Sequence, residues 1–178
     1  MSHLFTFLIM IFFGLSFDRL NVFKYCIVSS IFHEFGHIFA YIFFERKIPE
    51  IIITPFGFTM KNNVSYSKYY ICILFFGPAI NILIVIIALL RLKNKFNLDI
   101  YIIMLVNIII FITNIIPVNY LDGGQILYAK SKFYQRNYRL ISGISIIILA
   151  VMVYGFTGNL VRIAIFLLYY AINTANDI

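Results

Sequence analysis

The chain has 178 residues, of which 62% are hydrophobic and 12% charged, and its formal net charge is +7. A soluble domain of this size must turn many residues to water, so the composition excludes one and fits a polytopic membrane protein. The basic residues stand in short connectors between apolar runs, where they fix topology and touch anionic lipid; this argues for a bilayer and against nucleic acid.

A spanning helix takes about 20 apolar residues, with tolerance for shorter ones. In chain order the predicted spans are roughly 4–17, 22–44, 69–91, 100–118, 139–155 and 159–175. The first lacks a basic leader and a small-residue cleavage site, and is expected to be a retained span rather than a signal peptide. A turn around Gly155 and Gly158 is expected to divide the last two. Cys26 and Cys72 lie inside apolar runs and read as buried thiols rather than a bridge or a metal pair. With no repeat, linker or low-complexity tract, residues 1–178 read as a single domain. The expected fold class is an all-α polytopic membrane protein with about six transmembrane helices.

One apolar stretch, Ile48 to Met60, is too short to cross. Pro49, Pro55 and Gly57 break helices, and Ile51, Ile52, Ile53 and Thr54 are β-branched or favour strands. The segment reads as a β-hairpin or re-entrant loop embedded in the membrane, or as an amphipathic connector. Non-helical backbone at membrane depth survives only against protein or water, so the first reading implies a cavity beside it. With six crossings, the side that carries Arg46, Lys47, Lys61, Lys68, Lys130, Lys132, Arg136 and Arg139 is the more basic. The positive-inside rule then places both termini in the cytoplasm.

The second predicted span contains His33-Glu34-Phe35-Gly36-His37. Residues four apart share a helix face, so both imidazoles can reach one ion. Zinc suits such a pair, because it accepts imidazole and keeps a position open for water. Water on zinc titrates near neutrality and can attack a peptide carbonyl, while Glu34 can take its proton and return it to the leaving amine. In a soluble protein H-E-x-x-H often arises by chance. Inside a membrane, polar groups are costly by a few kcal/mol or more and tend to be functional. His3, the remaining histidine, reads as solvent- or headgroup-facing.

A catalytic zinc site has three protein ligands as a rule. Among the seven acidic residues, Asp18, Glu45, Glu50, Asp99 and Asp177 lie in connectors or the tail, and Glu34 is assigned as the base. Asp122 remains, in N-I-I-P-V-N-Y-L-D-G-G. Asp-Gly-Gly is also ordinary turn chemistry, but a turn here would bring a carboxylate to the membrane side of the second span's C-terminal half. Pro117 ends or kinks the preceding helix, and Gly123 and Gly124 allow a sharp bend.

The sequence resembles the site-2 protease family of intramembrane metalloproteases, and within it the compact sporulation-type branch that processes a membrane-associated pro-sigma factor. The zinc motif matches His33, Glu34 and His37. The N-x-x-P-x-x-x-L-D-G motif matches Asn114, Pro117, Leu121, Asp122 and Gly123, and G-P-x-x-N matches Gly77, Pro78 and Asn81. Pro55, Phe56 and Gly57 resemble the branch's membrane-embedded hairpin. The motifs stand in the family's order over roughly residues 28 to 126. Tyr120 departs from the proline many members carry before L-D-G, and neither a nucleotide-sensing nor a peptide-binding module is found.

The resemblance implies a Zn2+ enzyme that hydrolyses a peptide bond in or beside a transmembrane segment of a membrane-associated protein, with regulatory membrane proteins as further partners. It implies that Asn81, Asn114 and Pro117 help position substrate. From the residues alone, an amide inside lipid needs a partner; it can donate to the carbonyl oxygen as charge develops or simply bond between helices. Gly36 and Gly77 read as sites of close helix packing. Two other readings stand: a non-catalytic membrane metal protein, either transporter or scaffold, and an inactive relative that acts by binding.

Overall fold

Long runs of Ile, Leu, Val and Phe with few breakers form three helices of the structure, a computed structural model that describes residues 20–54, 57–60, 67–118 and 121–157. The chain divides into two compact units, Met1–Ile115 and Ile116–Ile178.

In the first unit, α1 spans Val22–Glu45. It starts after Asn21 and stops at Arg46, both left-handed (φ 55° and 54°), and the Arg46 N–H donates to the Ile42 carbonyl at 3.0 Å. That bond satisfies a carbonyl of the last turn. Helices α2 (Tyr70–Asn94) and α3 (Leu98–Ile115) follow, and the three pack against one another. Ala40, Tyr41 and Ile73 are buried together, with Phe44, Tyr69, Tyr70 and Phe76 around them. Elsewhere the apolar side chains turn outward: Phe32, Phe35, Phe39 and Phe43 run along one side of α1, each more than half exposed. An outer face this apolar suits lipid rather than water. All three helices are long and apolar enough to cross a membrane.

Two four-residue strands follow α1. Strand β1 (Ile51–Thr54) pairs antiparallel with β2 (Gly57–Met60), with Ile51 opposite Met60 and Thr54 opposite Gly57; β2 lies against α1. The pairing covers only part of the expected 48–60 segment. Ile48, Pro49 and Glu50 have no regular structure, and Pro55 and Phe56 lie outside the described residues.

The second unit contains α4 (Asp122–Lys130) and α5 (Lys132–Thr157). Ser131 separates them, and its N–H closes α4 on the Leu127 carbonyl at 2.8 Å. The Tyr134 hydroxyl, on α5, donates to the Pro117 carbonyl at 3.0 Å and ties the entry of the unit to that helix.

Of the six or so transmembrane helices expected, the described residues support three. Among the described residues there are five helices, three of which are span-capable by length and composition. The predicted spans 4–17 and 159–175 lie outside the described residues. The predicted 139–155 span falls within α5, which starts earlier, at Lys132, and continues through Gly155 to Thr157. Hydropathy stops at charged residues, whereas Lys, Arg and Gln are good helix formers, and one glycine costs a helix only about 1 kcal/mol. Gly155 therefore lies within α5 rather than in the expected turn, while Gly158 lies outside the described residues. Helix α4 stands where only a turn was expected, because Asp122 serves in a first helical turn, next to the positive end of the helix dipole. Cys72 is exposed rather than buried.

Candidate metal centre

On α1, Ser29, His33, Gly36, His37 and Ala40 are all buried, as helical spacing of one inward face requires. The Nε2 atoms of His33 and His37 lie 3.1 Å apart, with the rings edge to face.

Their other nitrogens decide what that approach means. His37 Nδ1 lies 2.9 Å from the Ile73 carbonyl oxygen. A carbonyl can only accept, so Nδ1 carries the hydrogen. His33 Nδ1 lies 2.6 Å from Asn81 Oδ1, and Asn81 presents that oxygen because its amide nitrogen donates to Asn107 Oδ1 at 2.8 Å. His33 is likewise protonated on Nδ1. With both rings neutral, each Nε2 would carry a lone pair, and the two atoms face each other across 3.1 Å. Two acceptors so close repel unless a cation bridges them. Two bonds of about 2.0–2.1 Å to a tetrahedral zinc would hold the nitrogens about 3.3–3.4 Å apart, so the donor pair fits the ion. The Ile73 carbonyl and Asn81 are the outer partners that orient metal-binding imidazoles.

Backbone proximity shapes the same place. A Cβ added to Gly36 would lie 2.6 Å from the Phe76 carbonyl oxygen and 2.9 Å from Ile80 Cγ1, so α1 and α2 cross there without a side chain between them. A Cβ added to Gly77 would strike the His37 imidazole and come within 2.8 Å of His33 Nε2. Pro78 follows inside α2, where its ring disturbs the preceding turn of the backbone ladder.

Glu34 is half-buried on α1, next in sequence to His33. Asn114 is half-buried, and its amide donates to the Ile110 carbonyl of its own helix at 3.0 Å. Asp122 belongs to the second unit; it is buried and opens α4. There the Pro117 carbonyl accepts from both Tyr134 and Ser142. The structure thus brings His33, His37 and Asn81 together, while Asn114 and Pro117 are engaged with nearby backbone and helix partners. His33, His37 and Asp122 each offer a metal-ligand atom, and all three are buried.

Two buried residues of this site were not singled out from sequence, Asn107 and Ser29. The Asn107 amide donates to Ser29 Oγ at 2.9 Å and to the Ile103 carbonyl at 2.8 Å. The available signal was that of Asn81: a polar side chain inside an apolar span.

No family model and no curated protein matches the sequence. Among solved structures, a Site-2 Protease from Methanocaldococcus jannaschii matches with a TM-score of 0.62 and 23% identity, over 92% of this chain and 83% of that one. The likeness is one of fold.

Proposed function

We propose that this protein is an intramembrane zinc metalloprotease, with His33, His37 and Asp122 as zinc ligands and Glu34 as general base. The observation that carries the reading is the pair of imidazoles locked in the Nδ1–H form, with their Nε2 lone pairs converging. The fold shared with a site-2 protease supports it, as does the presence of a carboxylate, Glu34, beside one imidazole.

Zinc in such a site acts as a Lewis acid and lowers the pKa of its water towards 7. The protein residues do the rest. His33 and His37 hold the ion in a water-poor interior, and Asp122 completes the three-ligand set and offsets charge. Glu34 accepts the attacking water's proton and passes it to the amine that leaves, balancing the hydrolysis. Asn114 turns its amide from the Ile110 carbonyl towards the substrate's carbonyl oxygen as negative charge develops there.

The substrate is a membrane-associated protein cut in or beside its transmembrane segment, and a regulatory precursor such as a pro-sigma factor is the class we propose. A helical substrate buries its carbonyls in hydrogen bonds and must unwind before attack. Strand β1 offers an extended template at the membrane surface on which the unwound segment pairs. A cell membrane with both termini cytoplasmic follows from the basic connectors.

The deciding experiment co-expresses a single-span substrate with wild type or Glu34→Gln and measures both cleavage and bound zinc. Cleavage by wild type alone, at equal zinc content, is expected; general-base loss lowers rate by about 100- to 10,000-fold. Zinc with equal cleavage in both would remove Glu34 from the chemistry. Folded wild type without zinc would overturn the metalloprotease reading.

A further inference from the structure

Three buried polar side chains of the first unit, His33, Asn81 and Asn107, form a directed chain of hydrogen bonds. At one end is the Ile103 carbonyl, which has no hydrogen to give. It therefore takes one from the Asn107 amide nitrogen, at 2.8 Å. That fixes the opposite face of the Asn107 side chain as oxygen, and this oxygen accepts from Asn81 Nδ2 at 2.8 Å. Asn81 is fixed in turn, oxygen towards His33, and accepts from His33 Nδ1 at 2.6 Å. Asn81 and Asn107 are both fully buried, with relative exposure of 0%, so water does not compete for these bonds.

We infer that Asn107 is a positioning residue for His33: acting through Asn81, it dictates which imidazole nitrogen carries the hydrogen and leaves Nε2 open to a metal. This rests on His33 being a metal ligand, as proposed above. The physical reason is the two-faced nature of an amide, whose oxygen and nitrogen ends occupy nearly the same volume. An Asn81 side chain without its Asn107 acceptor can turn its NH2 group towards His33. Nδ1 then becomes the acceptor, the hydrogen moves to Nε2, and the nitrogen that should bind the ion is blocked. The Ile103 backbone is what makes the correct direction the stable one, since a main-chain carbonyl cannot reverse its role.

Two measurements test this in the full-length protein in detergent. In metal-free wild type, 15N NMR of the imidazoles should show His33 protonated on Nδ1; protonation on Nε2 would overturn the inference without any variant being made. Zinc binding is then compared between wild type and an Asn107 variant, with thermal melting to verify folding. Asn107→Leu removes the acceptor and should weaken zinc about 10- to 100-fold, the usual effect of losing an outer partner. In the same variant, 15N NMR of the metal-free protein should show more of His33 with its hydrogen on Nε2 than in wild type. Wild-type-like zinc binding by Asn107→Leu, or a His33 tautomer unchanged in it, would overturn the inference. Wild type that binds zinc yet cleaves no substrate would count against the protease reading alone.

Discussion

At the scale of single residues, the site depends on where hydrogens sit more than on net charge. His37 and His33 each give their Nδ1 hydrogen to an oxygen, Ile73's carbonyl and Asn81's amide, so neither ring needs to be rearranged to take an ion. Gly77 faces the same two rings. Gly77→Ala should push the imidazoles off their axis and reduce zinc affinity at least about tenfold, measured by competition with a chelator, while helical content by circular dichroism stays unchanged. His37→Ala should abolish stoichiometric zinc outright; retention of a full equivalent would show that the ion sits elsewhere. H-E-x-x-H was legible in the sequence because its chemistry is local, two ligands one turn apart, and the G-P-x-x-N stretch because it resembles a family motif. Asn107 was not, because its meaning lies in contacts with residues distant in the chain, Ser29 and Asn81.

At the scale of elements, α1 and α2 are held at a spacing set by Gly36 against the Phe76 carbonyl. Backbone cannot yield as a side-chain tip can, so Gly36→Ala should cost about 1–3 kcal/mol, as overpacking does, read as a lowered melting temperature in detergent. Strand β1 belongs to a different kind of test. Ile52→Pro removes a backbone N–H and weakens the pairing with β2; cleavage should fall while bound zinc is unchanged, and unaffected cleavage would take the strands out of substrate handling. The boundaries of α1, α2 and α3 follow hydropathy to within a few residues, since apolarity and helix coincide there. Where they part, hydropathy misleads. Lys132, Arg136 and Arg139 interrupt an apolar count, yet they belong to one helix with the run that follows. Asp122 likewise reads as a turn by its neighbours and begins a helix.

At the scale of the whole molecule, the functional reading asks the two units for different things. The first holds both imidazoles and their hydrogen-bond partners, so the metal-binding direction is set inside Met1–Ile115. The second carries Asp122 on a short helix, with Pro117 anchored to Tyr134 and Ser142. Treatment with a zinc chelator such as 1,10-phenanthroline should therefore abolish cleavage with little change in circular dichroism, and added zinc should restore it. Collapse of helical content on chelation would instead mark the ion as a structural staple, the role a scaffold would give it.

Gly36 and Phe76 bear on more than stability. Their contact acts as a ruler: the gap between two helix backbones decides whether Asn81 lies within bonding reach of His33. One methyl group placed at Gly36 would lengthen that gap by pressing on the Phe76 carbonyl oxygen, with His33 and Asn81 themselves untouched. The first sign of damage would then be chemical rather than mechanical, as a hydrogen relocates from one side of an imidazole ring to the other. On the proposed reading, metal binding would then be lost through a change in spacing alone, with His33 and His37 still in place.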